Sequence, residues 1–199
     1  MNAIFERAKA VVFQPKETWP LIKSENQTIQ ELIINYAAPL ALIPAVASLI
    51  GLSIVGVRIP IGVVARAPFV EALVGSVLGY IFQLIGLVAA AWVINLLAQY
   101  FNAKSDLTMA AKVVVYSMTP IWVLGVLSVF PGLGVLQIFG LYGIYLLYLG
   151  LQILLETPAD KLVLYTTLVI IASLFINIIL SIIVGGAVYG PMFMRMMSV

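Results

Sequence analysis

Between Val113 and Leu155 the chain runs for 43 residues without one Asp, Glu, Lys or Arg. A bilayer core of about 30 Å takes roughly 20 apolar helical residues at 1.5 Å each, so this run is long enough for two passes. Its centre, Phe130-Pro131-Gly132-Leu133-Gly134, carries the helix breakers a hairpin needs. Three more stretches fit the same measure: Leu32–Val57, charge-free over 26 residues, Ala72–Ala103, over 32, and the last run from Leu162 to Met194. The second is long enough to project beyond the core. Five spans follow, at about residues 32–57, 72–101, 110–130, 135–156 and 162–188, the last ending near Gly185-Gly186.

Charge placement says the same. Of 18 charges, 8 lie in residues 1–31 and 10 in the other 168. With 63% hydrophobic residues and a mean hydropathy of +1.16, residues 32–199 cannot build a water-facing surface and must face lipid. The fold class expected is all-α: a five-helix polytopic membrane domain over residues 29–199, preceded by an interfacial amphipathic segment, 1–28. Lipid is its first partner.

Helix starts are marked. Thr28-Ile29-Gln30-Glu31 fits a capping box for the first span. Ser105, before Asp106, is the expected cap of the third. Thr157-Pro158-Ala159-Asp160 offers a cap, a proline at the first helical position and a carboxylate at the positive end of the helix dipole.

Five spans put the two ends of the chain on opposite faces. Arg7, Lys9, Lys16, Lys23, Lys104, Lys112 and Lys161 share one face, and Arg58, Arg66 and Arg195 the other. Seven against three puts the N-terminus in the cytoplasm and the C-terminus outside. Residues 1–13 lack the continuous apolar run of a secretory signal.

The absence of cysteine and histidine excludes thiol catalysis, disulfides, histidine bases and the usual zinc, haem and iron–sulfur ligand sets. No cofactor or metal is expected. A net charge of +2 with no basic patch gives no reason to expect nucleic acid. Ser173 and Ser181 have no base to activate them, so no enzyme activity is expected.

In residues 1–28, Ile4, Phe5, Ala8, Val11 and Val12 recur at helical spacing up to Pro15, and Trp19, Leu21 and Ile22 follow among lysines. Phe5 and Trp19 are expected in the headgroup layer. The segment reads as an anchor, as a docking surface for a cytosolic partner, or as a lid on the bundle.

Inside the spans, small and neutral polar residues form stripes. Ser173, Asn177, Ser181 and Gly185 recur every four residues in the fifth. Gly75 and Gly79 form a small-xxx-small pair in the second, with Gln83 near the same stripe and Asn95 further on. Such stripes pack helices, within one chain, between copies or against another membrane protein. Alternatively, Gln83, Asn95 and Asn177 line a path for a neutral or lipidic solute. Glu71, Lys112 and Glu156 fall near span ends, which argues against a proton relay.

Pro39 and Pro44 interrupt the first span and Pro120 the third. Each removes a hydrogen bond, and Ser117 and Thr119 are placed to satisfy the carbonyl freed near Pro120. These breaks read as packing kinks or as a discontinuous-helix binding site. Tyr142, Tyr145 and Tyr148 step along the fourth span, with Gly140, Gly143 and Gly150 between them allowing close approach.

Taken in order, Pro15 and Trp19, Tyr36 to Pro39, Tyr100-Phe101-Asn102-Ala103-Lys104, Tyr116-Ser117-Met118-Thr119-Pro120 and Tyr145-Leu146-Leu147-Tyr148-Leu149-Gly150-Leu151 resemble the Yip family of membrane proteins, specifically its bacterial branch. Many relatives carry an aromatic–Gly–Gly turn at the place of Tyr100-Phe101-Asn102-Ala103-Lys104. The resemblance implies five spans, a cytoplasmic N-terminus and a location in the bacterial cytoplasmic membrane, with no established activity. Eukaryotic relatives act in vesicle traffic with prenylated Rab-type GTPases. That role does not carry over, because their Asp-Leu-x-Gly-Pro element stands here only as Tyr36-Ala37-Ala38-Pro39.

Overall fold

A computed structural model describes residues 2–58 and 64–197. The chain is an all-α polytopic membrane protein with five helices long and apolar enough to cross a bilayer: Ile29–Val55, Phe69–Phe101, Leu107–Val129, Val135–Leu154 and Ala159–Gly186. Before them stand α1 (Asn2–Phe13) and α2 (Pro15–Ser24). The first two spans are joined through a minimal antiparallel pair, β1 (Val57–Arg58) with β2 (Val64–Ala65). The last two residues of the expected 29–199 domain lie outside the described residues.

The first span opens with α3 (Ile29–Leu32), capped as expected. The Thr28 hydroxyl accepts from Glu31 N, and the Glu31 carboxylate accepts from Thr28 N at 2.9 Å. A π turn, Ile33–Ala37, then precedes α4 (Ala38–Ile50). A proline ring clashes with the carbonyl four residues back, and the wider turn relieves this just before Pro39. Pro44 stays inside α4 and is met by Gly125, where a Cβ would lie 2.6 Å from the proline Cβ. The kink is therefore a close crossing of the first and third spans.

The third span breaks at Met118 into α6 (Leu107–Ser117) and α7 (Thr119–Leu124), with Pro120 in the first turn of α7. Neither neighbouring hydroxyl serves the freed carbonyl: Thr119 Oγ1 bonds the Tyr36 hydroxyl at 2.9 Å, and Ser117 Oγ is buried without a partner. The cap of α6 is Asp106 rather than Ser105. Its Oδ1 accepts from both Thr108 N at 2.8 Å and Met109 N at 3.0 Å, satisfying two of the orphan amides of the first turn. Two 3₁₀ stretches, Gly125–Val129 and Pro131–Leu141, turn back on each other at Phe130 as the expected hairpin, and α8 (Tyr142–Leu154) follows.

The last helix, α9, runs Ala159–Met197 and does not stop at Gly185-Gly186. Glycine costs about 1 kcal/mol in a helix, less than unsatisfied backbone would cost in lipid. Thr157 does not cap it. Its hydroxyl donates back to Leu151 O at 2.8 Å, closing the end of α8.

The third span is the hub. Of its most apolar window 67% is buried, against 6% for the fifth. It packs on the second span, α5 (Phe69–Ala98), on α4 and on α8, while α5 and α8 both pack on α9. Around this hub the first, second, fifth and fourth spans follow one another. In the remaining interval, between the fourth and the first, α1–α2 pack against α8 and α7. Counting about 20 residues inward from Glu71 places the far edge of the hydrocarbon near Trp92, which is exposed. The pair α1–α2 reaches down beside the bundle: Tyr142 of α8 bonds Val12 at 2.9 Å, and α1 packs on α7.

Candidate functional site

Two places bring together residues that could act, one at each end of the bundle. At the N-terminal end α1 and α2 fold into a bent pair. The backbone breaks at Gln14, where the Thr18 hydroxyl donates to Gln14 O at 2.7 Å and to Ala10 O at 3.0 Å. Arg7 pairs with Glu25, which draws the two arms toward each other. Ala8, Val11, Trp19 and Ile22 are buried in the protein core, while Phe5 is 69% exposed and faces away.

Trp19 does not sit among headgroups as expected. It is 1% exposed, and its ring lies edge-on to Tyr116 and over Gly150 and Val113. An amphipathic helix has the same pattern whether its apolar face meets lipid or a helix bundle, and here it meets the bundle. Tyr116 in turn stacks obliquely on Tyr36, with ring centres 4.7 Å apart. Trp19, Tyr36 and Tyr116, from three separate motifs, are thus one aromatic cluster.

Lys112 holds the pair from within. It lies in the second turn of α6, is fully buried, and its ammonium donates to Ile22 O at 2.9 Å and Glu25 O at 2.6 Å. A lysine ammonium close to the last carbonyls of a helix both satisfies them and opposes the helix dipole. Two further bonds tie the pair down. The Tyr142 hydroxyl donates to Val12 O at 2.9 Å, and Lys23 donates to Glu156 at 2.7 Å. Counting charges by face gave Lys112 no special place. The available signal was its position, a lone cation between Ala111 and Val113 on an otherwise apolar segment.

Glu156 closes this end. Its Oε1 accepts from Lys104 and Lys23, both at 2.7 Å, and these bonds pull its pKa from 4.5 to about 2. Its backbone sits at φ 51°, in the left-handed region.

At the opposite end, the stripes face a groove. Gly75, Gly79, Gln83, Ser48, Glu71 and Val184 line a cleft of about 380 Å³ between the first and second spans. Beside it, Gly79, Gln83, Asn177, Ser181, Val184 and Gly185 line another of about 290 Å³. The structure therefore brings Gly75, Gly79, Gln83, Asn177, Ser181 and Gly185 together. It does not pack them: a Cβ added at Gly79 or Gly185 would meet no atom within 4 Å. Closer in, Gly86 does meet Leu180 at 3.2 Å.

Asn95 is not part of this groove. It lies three turns away on α5, accepting from the Ser105 hydroxyl at 3.0 Å, because a helix rises about 18 Å in twelve residues. Ser173 is outside it too, its carbonyl taken by the Asn177 amide at 2.8 Å. Among the described residues no group of three His, Cys, Asp or Glu could hold a metal.

Five spans around a buried third helix, with breaks at prolines, define a helical multi-pass membrane protein. The Yip1 domain family matches residues 9–195, and the chain belongs to that family. The chain is similar to the inner membrane protein YohC of Escherichia coli K12, 24% identical over 151 residues, which cover 74% of this chain and 77% of that protein. The YohC of Escherichia coli O6:H1 strain CFT073 matches to the same extent. No solved structure matches.

Proposed function

We propose that the protein is a non-enzymatic organiser in a bacterial cytoplasmic membrane, holding a membrane-embedded partner helix through the groove of the second and fifth spans. Its N-terminal face is cytoplasmic on this reading, in line with the seven-to-three excess of Lys and Arg. The observation that carries the reading is the empty space at Gly79 and Gly185. Small residues let helix backbones approach in lipid, where no hydrophobic force drives association. The chain's own helices do not use that approach here, which leaves it for another helix. Gln83, Ser181 and Asn177 offer polar contacts along the same face.

The test is Gly79→Leu, which fills the groove. Complexes recovered from native membranes under mild solubilisation should lose the partner, and Asn177→Leu should weaken recovery likewise. Undiminished recovery in both variants would end this account.

The adjoining cleft between the first and second spans supports a second reading, a site for a neutral or lipidic solute, favoured by its volume of about 380 Å³ and by Gln83 in its lining. A single cysteine at Gly79, unique in this chain, separates the two. Crosslinking to a protein favours the organiser; labelling by a lipid-borne reagent alone favours the solute.

A further inference from the structure

The cleft between the first and second spans exists because the first span leans on the third. Pro44 sits against Gly125, and a Cβ added at Gly51 would run into Ser128 O. From Pro44 onward the first span is therefore held to Gly125–Val129. On its other side, against α5, a gap of about 380 Å³ is left. Leu52, Ala67 and Glu71 stand at its mouth, and near its inner end the Tyr80 hydroxyl donates to Ala38 O at 3.2 Å, joining the two helices. Of the residues lining it only Ala72 is buried, so the cleft is open along the flank of the bundle.

Its depth matches one leaflet. Glu71 marks the edge of the hydrocarbon, and Gln83 lies twelve residues further, about 18 Å along α5. Half of a bilayer core is about 15 Å. A spanning helix would need the whole thickness, whereas an acyl chain needs only this half. The walls suit such a chain, with Pro44, Ala45 and Val184 apolar. Ser76, about 8 Å inward from Glu71, and Ser48 on the facing helix supply hydroxyls just below the headgroups, where a lipid carries its ester carbonyls. Gln83, at the inner end, also borders the neighbouring groove with Asn177 and Ser181.

The mouth carries one charge of each sign. Arg66 Nε donates to Ile54 O at 2.8 Å and Ala67 N to Leu52 O at 3.0 Å, which fixes the exposed guanidinium over the end of the first span. Glu71 is exposed in the first turn of α5. Among the described residues the two form no salt bridge with each other. We infer that the cleft holds one phospholipid with a primary ammonium headgroup. Its acyl chain lies between α4 and α5, its phosphate on the remaining N–H groups of Arg66, and its ammonium on Glu71. A primary ammonium donates charge-assisted hydrogen bonds to a carboxylate, and a trimethylated one has no N–H to donate. The inference rests on the lipidic reading of this cleft and adds the headgroup to it.

Native mass spectrometry of the full chain tests this, with the delipidated protein titrated with phosphatidylethanolamine or with phosphatidylcholine of the same acyl chains. The ethanolamine lipid should bind several-fold more tightly. Glu71→Gln should bring it down to the choline level, and Glu71→Asp should retain the preference. Arg66→Gln should weaken both lipids alike. Ser48→Leu narrows the cleft from the first span alone and should lower the binding of both. Unfolding temperatures of the variants in detergent, expected close to that of the parent, separate lost binding from lost fold. Equal binding of the two lipids by the parent, or an undiminished preference in Glu71→Gln, overturns the headgroup assignment, and the lipidic reading then stands only if Ser48→Leu still lowers binding. Undiminished binding of both lipids in Ser48→Leu takes the lipid out of the cleft and overturns both.

Discussion

The ring of Trp19 lies where Gly150 has no side chain: a Cβ there would sit 2.9 Å from the indole and 3.1 Å from Val113. This one absence lets α2 lie flat on α8. Gly150→Ala should push Trp19 out of its seat and destabilise the protein by about 1–3 kcal/mol, as overpacking of a well-filled site does. The check is thermal unfolding in detergent together with Trp fluorescence, which should shift to the red.

The spans were legible in the sequence because lipid leaves few options. Twenty apolar residues between charges must cross, and the Phe130-Pro131-Gly132 break must turn. The capping box at Thr28 and Glu31 was legible for a similar reason, since the two side chains satisfy local amides and need no tertiary partner. Lys112 was not legible as a buried group, because the carbonyls that receive it are about ninety residues away in sequence and close only through the fold. The burial of Trp19 was hidden for the same reason. At the other end, the sequence showed Gly79 and Asn177 as members of stripes, and the structure shows that they share a groove. Asn95 looked equivalent, and only its position three turns along α5 separates it.

The glycines divide sharply by surroundings, which gives a paired expectation. A Cβ at Gly125 would lie only 2.6 Å from the Pro44 Cβ, so Gly125→Ala should force the first and third spans apart at a cost of about 1–3 kcal/mol. Gly79 faces nothing within 4 Å, so Gly79→Leu should change stability by no more than about 0.5 kcal/mol. Unfolding midpoints of the two variants in one detergent would decide this. A large loss in Gly79→Leu would mean that the groove is filled within the single chain, and its use by a partner would fall with it.

Asn102 occupies the turn after the second span at φ 54°, the left-handed region that glycine adopts freely and asparagine tolerates better than most residues. Asn102→Gly should therefore be nearly neutral. Asn102→Ala should cost about 1 kcal/mol, since alanine keeps the Cβ but loses the short polar side chain that lets asparagine tolerate this region. Equal stability of the two variants would show that the turn relaxes to another conformation.

Glu156 is the residue whose charge should make the contact between α2 and the end of α8 depend on pH. Its pKa is drawn down from 4.5 to about 2 by Lys104 and Lys23. A carboxyl with a lowered folded pKa contributes its stabilisation fully above the unfolded value and loses it as pH falls through the folded one. The contribution is thus constant above about pH 5 and fades between 4.5 and 2. Glu156→Gln removes the charge at every pH, so its unfolding temperature should lie below that of the parent at neutral pH. The gap between the two should close as pH falls through that window. Glu156→Gly gives the complementary result, because glycine relieves the backbone at φ 51° but releases both lysines. Its α2 amides should exchange faster although its turn is less strained. A gap that stayed constant down to pH 2 would mean that the two lysines do not hold the carboxylate in the folded protein.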